Sequence, residues 1–263
     1  MDAWRAGLVG LLGGLARPFQ ATATALSSLA AGLLARADLD AAITRLWDDV
    51  AGQESGEAPG WLAWESAFYR PRLEPGARVL LVGCGSGRDL VPLLEAGHAA
   101  EGVDIAPRAL EAGRRRLERL GLRGELHLGS IDTLRLASRF DLAIFSWLCY
   151  GYIPESRRRV GALANLRSHL EPGGRVLISY VRRDPEPARL PARLARLAAR
   201  LAGSGWRPEH GDLLLLTRAR GGVGLHYEHH FAPEEIEAEA RAAGLAVDEH
   251  AAAGHGQLVL RNA

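Results

Sequence analysis

Leu8, Leu11, Leu12 and Leu15, then Leu26, Leu29 and Leu33, then Ile43, Leu46, Trp47 and Val50 recur every three or four residues. That period gathers apolar side chains on one face of a helix, so the first 70 residues are predicted to be a helical cap. Glycine and proline in GQESGEAPG, residues 52–60, predict a loop before a further short apolar face at Trp61, Trp64 and Phe68. From Ala77 the pattern changes. Apolar runs at 77–83, 99–105, 125–131, 140–147 and 174–181 alternate with helical stretches, the pattern of a parallel sheet covered on both faces. A helix over 233–243 and runs at 245–253 and 256–262 supply a sixth and seventh strand. The expected fold is α/β, a doubly wound seven-stranded sheet over residues 71–263, preceded by the cap of residues 1–70.

Residues 182–231 interrupt the alternation. Arg189, Arg193, Arg196 and Arg200 share one helical face, with Leu190, Leu194, Leu197 and Leu201 on the next. DLLLLTRA (212–219) and GLHYEHHF (224–231), joined through Gly221 and Gly222, read as an antiparallel hairpin. In the second strand Leu225, Tyr227, His229 and Phe231 share the less polar face and should turn inward. His226, Glu228 and His230 occupy the other face, and His230 should face solvent. A helix plus a hairpin is the form of a lid.

Composition narrows the function. Lysine and arginine total 32 against 31 acidic residues, for a net charge of +1, so the broad positive field that a nucleic-acid partner needs is missing. Every cation is arginine or histidine, as from a GC-rich genome, and no mechanism follows from that. Cys84 and Cys149 are the only cysteines, which supports neither a disulfide framework nor a cysteine zinc site. A reducing cytoplasm fits. The short apolar run before Arg17 and Pro18 resembles a signal sequence, but Asp2 stands in its leading segment and the run is too short to span a bilayer.

The candidate chemistry begins where the first strand runs into G-C-G-S-G. Glycine at Gly83, Gly85 and Gly87 lets backbone approach a ligand, and Asp89 stands where it can cap the following helix. Asp104 ends the next strand, where an acidic side chain can accept hydrogen bonds from a ribose diol. The spacing is G-x-G-x-G. A nicotinamide-binding domain, the runner-up reading, uses G-x-G-x-x-G.

G-C-G-x-G at the end of the first strand and Gly102, Val103 and Asp104 at the end of the second resemble the class I S-adenosylmethionine-dependent methyltransferases. The likeness continues through LHLGSIDTL, FDLAIFSWLCYGYIP, LRSHLEPGGRVLISYV and HHFAPEEIEAEARAAGLAV, covering roughly residues 68–263. It implies a Rossmann-like methyltransferase fold and S-adenosylmethionine as cofactor. By position, Gly83, Gly85 and Gly87 would flank its methionyl end, and Tyr69, Cys84, Asp89, Ser146 and Trp147 would also contact the cofactor. Asp104 would hold the ribose, Ile105 would pack on adenine, and Ser130, Ile131 and Asp132 would border it. Ser130 stands where the family often has an acidic residue, and Asp132 is the substitute.

Methyl transfer from a sulfonium is an in-line displacement that rests mainly on alignment, without a metal. An oxygen or nitrogen acceptor must also lose a proton, for which the candidates are His229, Tyr150 and Tyr152. Trp147, Tyr150 and Tyr152 would wall the acceptor pocket. His226 and His229 fall on opposite strand faces and His226 lies about 13 Å from His230, so a shared metal is not expected. The expected acceptor is a small molecule. A non-catalytic protein at a membrane surface is the third reading, drawn from the apolar N-terminus and the Arg/Leu helix, although solvated arginines explain that helix more simply.

Overall fold

The structure, a computed structural model, describes residues 18–19, 21–53, 60–183 and 189–263. The helix expected around Leu8 to Leu15 and most of the 52–60 loop lie outside the described residues. Helices α1 (residues 21–33), α2 (Arg36–Gln53) and α3 (Ala63–Tyr69) lead into β1 (Arg78–Val82), α4 (Leu90–Glu95), β2 (Ala99–Asp104), α5 (Pro107–Leu120), β3 (Glu125–Leu128) and β4 (Phe140–Phe145). A tight turn, Ser146–Tyr152, precedes α6 (Ser156–Ser168) and β5 (Leu170–Tyr180). Then follow α7 (Arg189–Ala202), β6 (Asp212–Ala219), β7 (Gly222–His229), α8 (Pro233–Ala242), β8 (Ala246–Ala251) and β9 (Gly256–Arg261).

The seven-stranded sheet has the order β3-β2-β1-β4-β5-β9-β8. Only β9 runs against its neighbours, pairing antiparallel with β5 and β8. Strand order reverses between β1 and β4, so the loops after these strands flank the crevice where ligands bind in open α/β sheets. Alternation along β1 divides the core. Leu80 and Val82 pack with Leu163, Leu166 and Ile236 beneath α6 and α8, whereas Val79 and Leu81 pack with Leu90, Leu110 and Leu117 beneath α4 and α5. The third strand stops at Leu128, short of the expected 131, because the Ser130 carbonyl takes the Thr133 and Leu134 N–H groups into a turn.

A third apolar cluster joins the helical cap to the insertion: Ala31, Leu39 and Ile43 pack against Ala195, Trp206, Leu214, Leu225 and Tyr227. The β6–β7 hairpin turns at Arg220 and Gly221, with Ala219 paired to Gly222. Two contacts seat this cluster over the crevice. Asp48 Oδ1 accepts the Arg108 N–H at 2.9 Å, capping the first turn of α5 in place of a local side chain. Trp47 packs on Ala106 and Ala109.

Candidate active site

Asp104 is the junction of the three loops that leave β1, β2 and β3. Its Oδ2 accepts the Gly85 N–H at 2.8 Å, its Oδ1 accepts the Ala106 N–H at 2.9 Å, and its carbonyl accepts the Gly129 N–H at 2.9 Å. Burial pushes the carboxyl upward and the Ala106 and Gly85 donors pull it back. Each carboxylate oxygen keeps a further lone pair for a ribose hydroxyl.

The glycines before it act for different reasons. Gly83 has φ +74°, and a Cβ there would stand 2.7 Å from Cys149 Sγ, so the turn after β4 packs directly on the glycine loop. Gly85, at φ +51°, would place a Cβ in open space, with nothing within 4 Å. Strain excludes a side chain at Gly85, and the space above it stays free for a ligand. Cys84 points the other way, into the core, where a side chain on Gly102 would strike its sulfur at 2.7 Å. Burial raises both thiols, so neither is a nucleophile.

Around this loop lies a polar pocket with unused groups. Arg88, directly after the third glycine, pairs with Glu65 at 2.5 Å and with Asp89 at 2.7 Å, and its guanidinium lies 4.6 Å from the Trp147 ring. Asp89 is buried and does not cap α4; it accepts the Ser146 hydroxyl instead, tying the loop after β1 to the turn after β4. Trp147 and Leu148 hold left-handed backbone (φ 43° and 63°), a strained form that clusters at functional sites. The Tyr69 hydroxyl is fully buried with no partner, and burial first, then Asp89 and Glu65, raise its pKa. Asp89 Oδ1 also lacks a well-directed donor. An orphaned hydroxyl, a guanidinium and a carboxylate suit a zwitterionic amino-acid end, and the open space above Gly85 suits the rest of S-adenosylmethionine.

On the adenine side the placements are mixed. Ile105 is half-buried against the apolar cluster that joins the helical cap to the insertion. Ile131 lies in the core and its carbonyl accepts from Asn165 Nδ2 at 2.7 Å. Asp132 is held by Arg158 Nε at 3.0 Å, and Arg158 reaches Asp40 of α2 at 2.8 Å. Asp132 therefore ties the loop after β3 to the helical cap, with only Oδ1 left unpartnered.

Two of the three catalytic candidates fall outside the crevice. Tyr150 is fully buried, stacks on Phe231 and donates its hydroxyl to Glu239 at 2.7 Å. His229 does turn inward, with Leu225, Tyr227 and Phe231, but into an ion cluster. Its Nδ1 meets Asp212 at 2.7 Å and its Nε2 meets Glu235 at 3.0 Å. Burial lowers its pKa, yet the bonds to Asp212 and Glu235 outweigh that and the net shift is upward. A ring with both nitrogens committed to carboxylates has none left to take a proton from an acceptor. Glu209, Asp212 and His229 approach closely enough to share an ion, but the Arg159 guanidinium already supplies the positive charge there.

A histidine whose pKa is raised on folding adds stability that is complete below its unfolded value of about 6.5 and is lost as pH rises through the folded value. Wild-type stability should therefore fall across that window relative to a His229→Gln variant. Urea midpoints measured at several pH values check this; parallel curves would show that His229 is uncharged in the fold.

The opposite face of β7 is the one that borders the crevice. A side chain on Gly151 would meet the His229 carbonyl at 2.9 Å, so the strand runs hard against the turn after β4. His226 lies 6.1 Å from both the Trp47 and Tyr152 rings, which themselves lie 4.6 Å apart. Glu228 stands 3.7 Å from His226 Nε2 and 3.2 Å from His230 Nε2. Burial opposes its charge, but bonds to His226 and His230 hold its pKa down at about 2. His230 is accordingly half-buried and paired. The spacing rule for strands separated the two faces correctly, but it carried no information on Trp47, which arrives from a distant helix.

Comparison with known proteins agrees with this geometry. Residues 79–174 match the methyltransferase domain family. The ubiquinone biosynthesis O-methyltransferase of Xanthomonas axonopodis pv. citri (strain 306) is 28% identical over 218 residues, 81% of this chain and 80% of its own. Two solved structures share the fold: the CcbJ methyltransferase from Streptomyces caelestis (TM-score 0.57, 19% identity, 81% of this chain and 94% of its own) and DesVI of Streptomyces venezuelae (TM-score 0.56, 22% identity, 81% and 92%). Through this domain and this relative the chain is similar to the S-adenosylmethionine-dependent methyltransferases. It is an enzyme of that class, with S-adenosylmethionine as cofactor, and the nicotinamide reading is set aside.

Proposed function

We propose that this methyltransferase acts on an oxygen or nitrogen of a small molecule in the cytoplasm, with no nucleic-acid substrate. The observation that carries the reading is the roof over the crevice, where Trp47 of α2, Tyr152 and His226 of β7 meet ring to ring, a lining suited to a small acceptor. The relative from Xanthomonas is named for an O-methylation in ubiquinone biosynthesis, and a Streptomyces venezuelae relative, 27% identical over 111 residues, for N,N-dimethylation of a dTDP-amino sugar. Both names are small-molecule chemistry.

When bound, S-adenosylmethionine supplies an electrophilic methyl carbon. Asp104 would accept the ribose hydroxyls, Ile105 would pack on adenine with Ser130, Ile131 and Asp132 beside it, and the backbone at Gly83, Cys84, Gly85 and Gly87 would flank the methionyl end. Tyr69, Arg88, Asp89, Ser146 and Trp147 would hold its charged groups. Helix α2 and the hairpin form the roof.

The proton shed by the acceptor passes to His226, whose charge Glu228 stabilises. Tyr152 is a poor base, since burial first and Glu228 next raise its pKa far above the usual value, so it stays protonated. His226→Ala should lower kcat roughly a hundredfold, the scale of a lost general base, with S-adenosylmethionine affinity intact. His230→Ala should do little. Equal rates in wild type and His226→Ala would leave the transfer to alignment alone. For the acceptor class, methyl-labelled cofactor should mark a panel of phenols and amino sugars; label entering only RNA or protein would overturn the reading.

A further inference from the structure

Helix α7 buries the wrong residues for an ordinary surface helix. Ala192, Ala195 and Ala198 are 6%, 0% and 3% exposed, while Leu190, Leu197 and Leu201 are 61%, 54% and 78% exposed. An amphipathic helix that serves only its own core turns its large apolar side chains inward. The contact with α1 explains the alanines: a side chain on Gly32 would stand 2.4 Å from the Ala195 carbonyl, so the two helices touch backbone to side chain with no room for leucine. Helix α1 repeats the arrangement, with Ser28, Ala31 and Gly32 buried and Leu26, Leu29 and Leu33 exposed.

Charge says what covers this face. Arg193, Arg196 and Arg200 line the stripe next to the leucines and are exposed. Arg196 is tied to the Pro208 carbonyl, and neither α7 nor residues 21–33 contain an acidic residue. A second copy docking the same face by two-fold symmetry would bring like-charged arginine rows together. A nucleic acid would leave the leucines in water. An apolar stripe flanked only by cations matches an anionic bilayer, where leucines enter the acyl boundary and arginines meet the headgroups. No described helix is long and apolar enough to cross a membrane, which confines the contact to the surface.

We propose that α7, with α1 beside it, seats this enzyme on the surface of an anionic membrane. The seat is separate from the crevice, so it can be lost with cofactor binding intact. The test is flotation of the full chain with vesicles of phosphatidylcholine alone or with a third phosphatidylglycerol. Wild type should float with the anionic vesicles, stay behind with the neutral ones, and release as salt is raised. L197S/L201S and R193E/R200E should each weaken partition by about tenfold or more. Both pairs are exposed, and unchanged S-adenosylmethionine affinity by calorimetry shows that the variants fold. Wild type that remains in solution with anionic vesicles overturns the proposal. So does a dimer abolished by L197S/L201S, which assigns the face to a second copy, or binding to RNA that the leucine variant retains.

Discussion

Asp104→Ala should weaken S-adenosylmethionine binding by at least a hundredfold. One carboxylate receiving two ribose hydroxyls in a half-buried site contributes about 1.5 to 3 kcal/mol for each charge-assisted bond, or roughly 3 to 6 kcal/mol together. The substitution also frees the Gly85 and Ala106 N–H groups that the carboxylate now holds at 2.8 and 2.9 Å, so the glycine loop loses its anchor as well as its ligand acceptor. Asp104→Asn separates the two effects. Its amide oxygen can hold one N–H while its NH2 faces the other, which keeps the side-chain volume and removes the charge. Calorimetry with S-adenosylmethionine and its demethylated product should show both variants impaired, alanine more than asparagine. A folded Asp104→Ala protein that binds with wild-type affinity would remove the residue from the site.

The features of this site that could be read from the chain are those made by contiguous residues. G-C-G-S-G and Asp104 sit on adjacent parallel strands, so strand pattern alone brought them together, and the register Val82 to Val103 leaves the loop directly beside the acid. Hairpin alternation likewise separated His229 from His226. Which face borders the crevice depended on residues far away in sequence: Trp47 and Asp48 at the end of α2, Gly151 in the turn after β4, and the acids of α8. Arg88 was visible as the residue breaking the nicotinamide spacing, yet its pairing with Glu65 crosses 23 residues and no local pattern encodes it. The inward turn of His229 was a sound inference from polarity. Its role was not, because polarity along one strand cannot show that Asp212 and Glu235 await it.

Arg159→Met should be the most destabilising single change. The guanidinium is fully buried and bonds Glu239 at 2.8 and 3.1 Å and Glu209 at 2.8 Å, joining α6, α8 and the approach to β6 in one cluster beside His229. Burial works against its charge, but neighbouring groups, Glu239 and Glu209 among them, outweigh this and raise its pKa further. Methionine fills much of the same volume but leaves Glu239, itself 4% exposed and already accepting from Tyr150, without its cation. Removing one partner of a buried pair costs about 3 to 5 kcal/mol, whereas replacing both is often close to neutral. At roughly 2 to 4 °C per kcal/mol for a chain of this size, Tm should fall by about 10 °C. Arg159→Met combined with Glu239→Gln should regain much of that loss, since the amide oxygen still accepts from Tyr150, and the remaining carboxylate, Glu209, is partly exposed and keeps the Ser156 N–H. The recovery, measured as the coupling in a double-mutant cycle, distinguishes an unpaired charge from lost packing. Because the same cluster fixes the hairpin that carries His226, the single variant should also lose turnover near its midpoint before cofactor binding fails. An Arg159→Met protein that melts with the wild type would show that the cluster contributes nothing to holding the hairpin on the core.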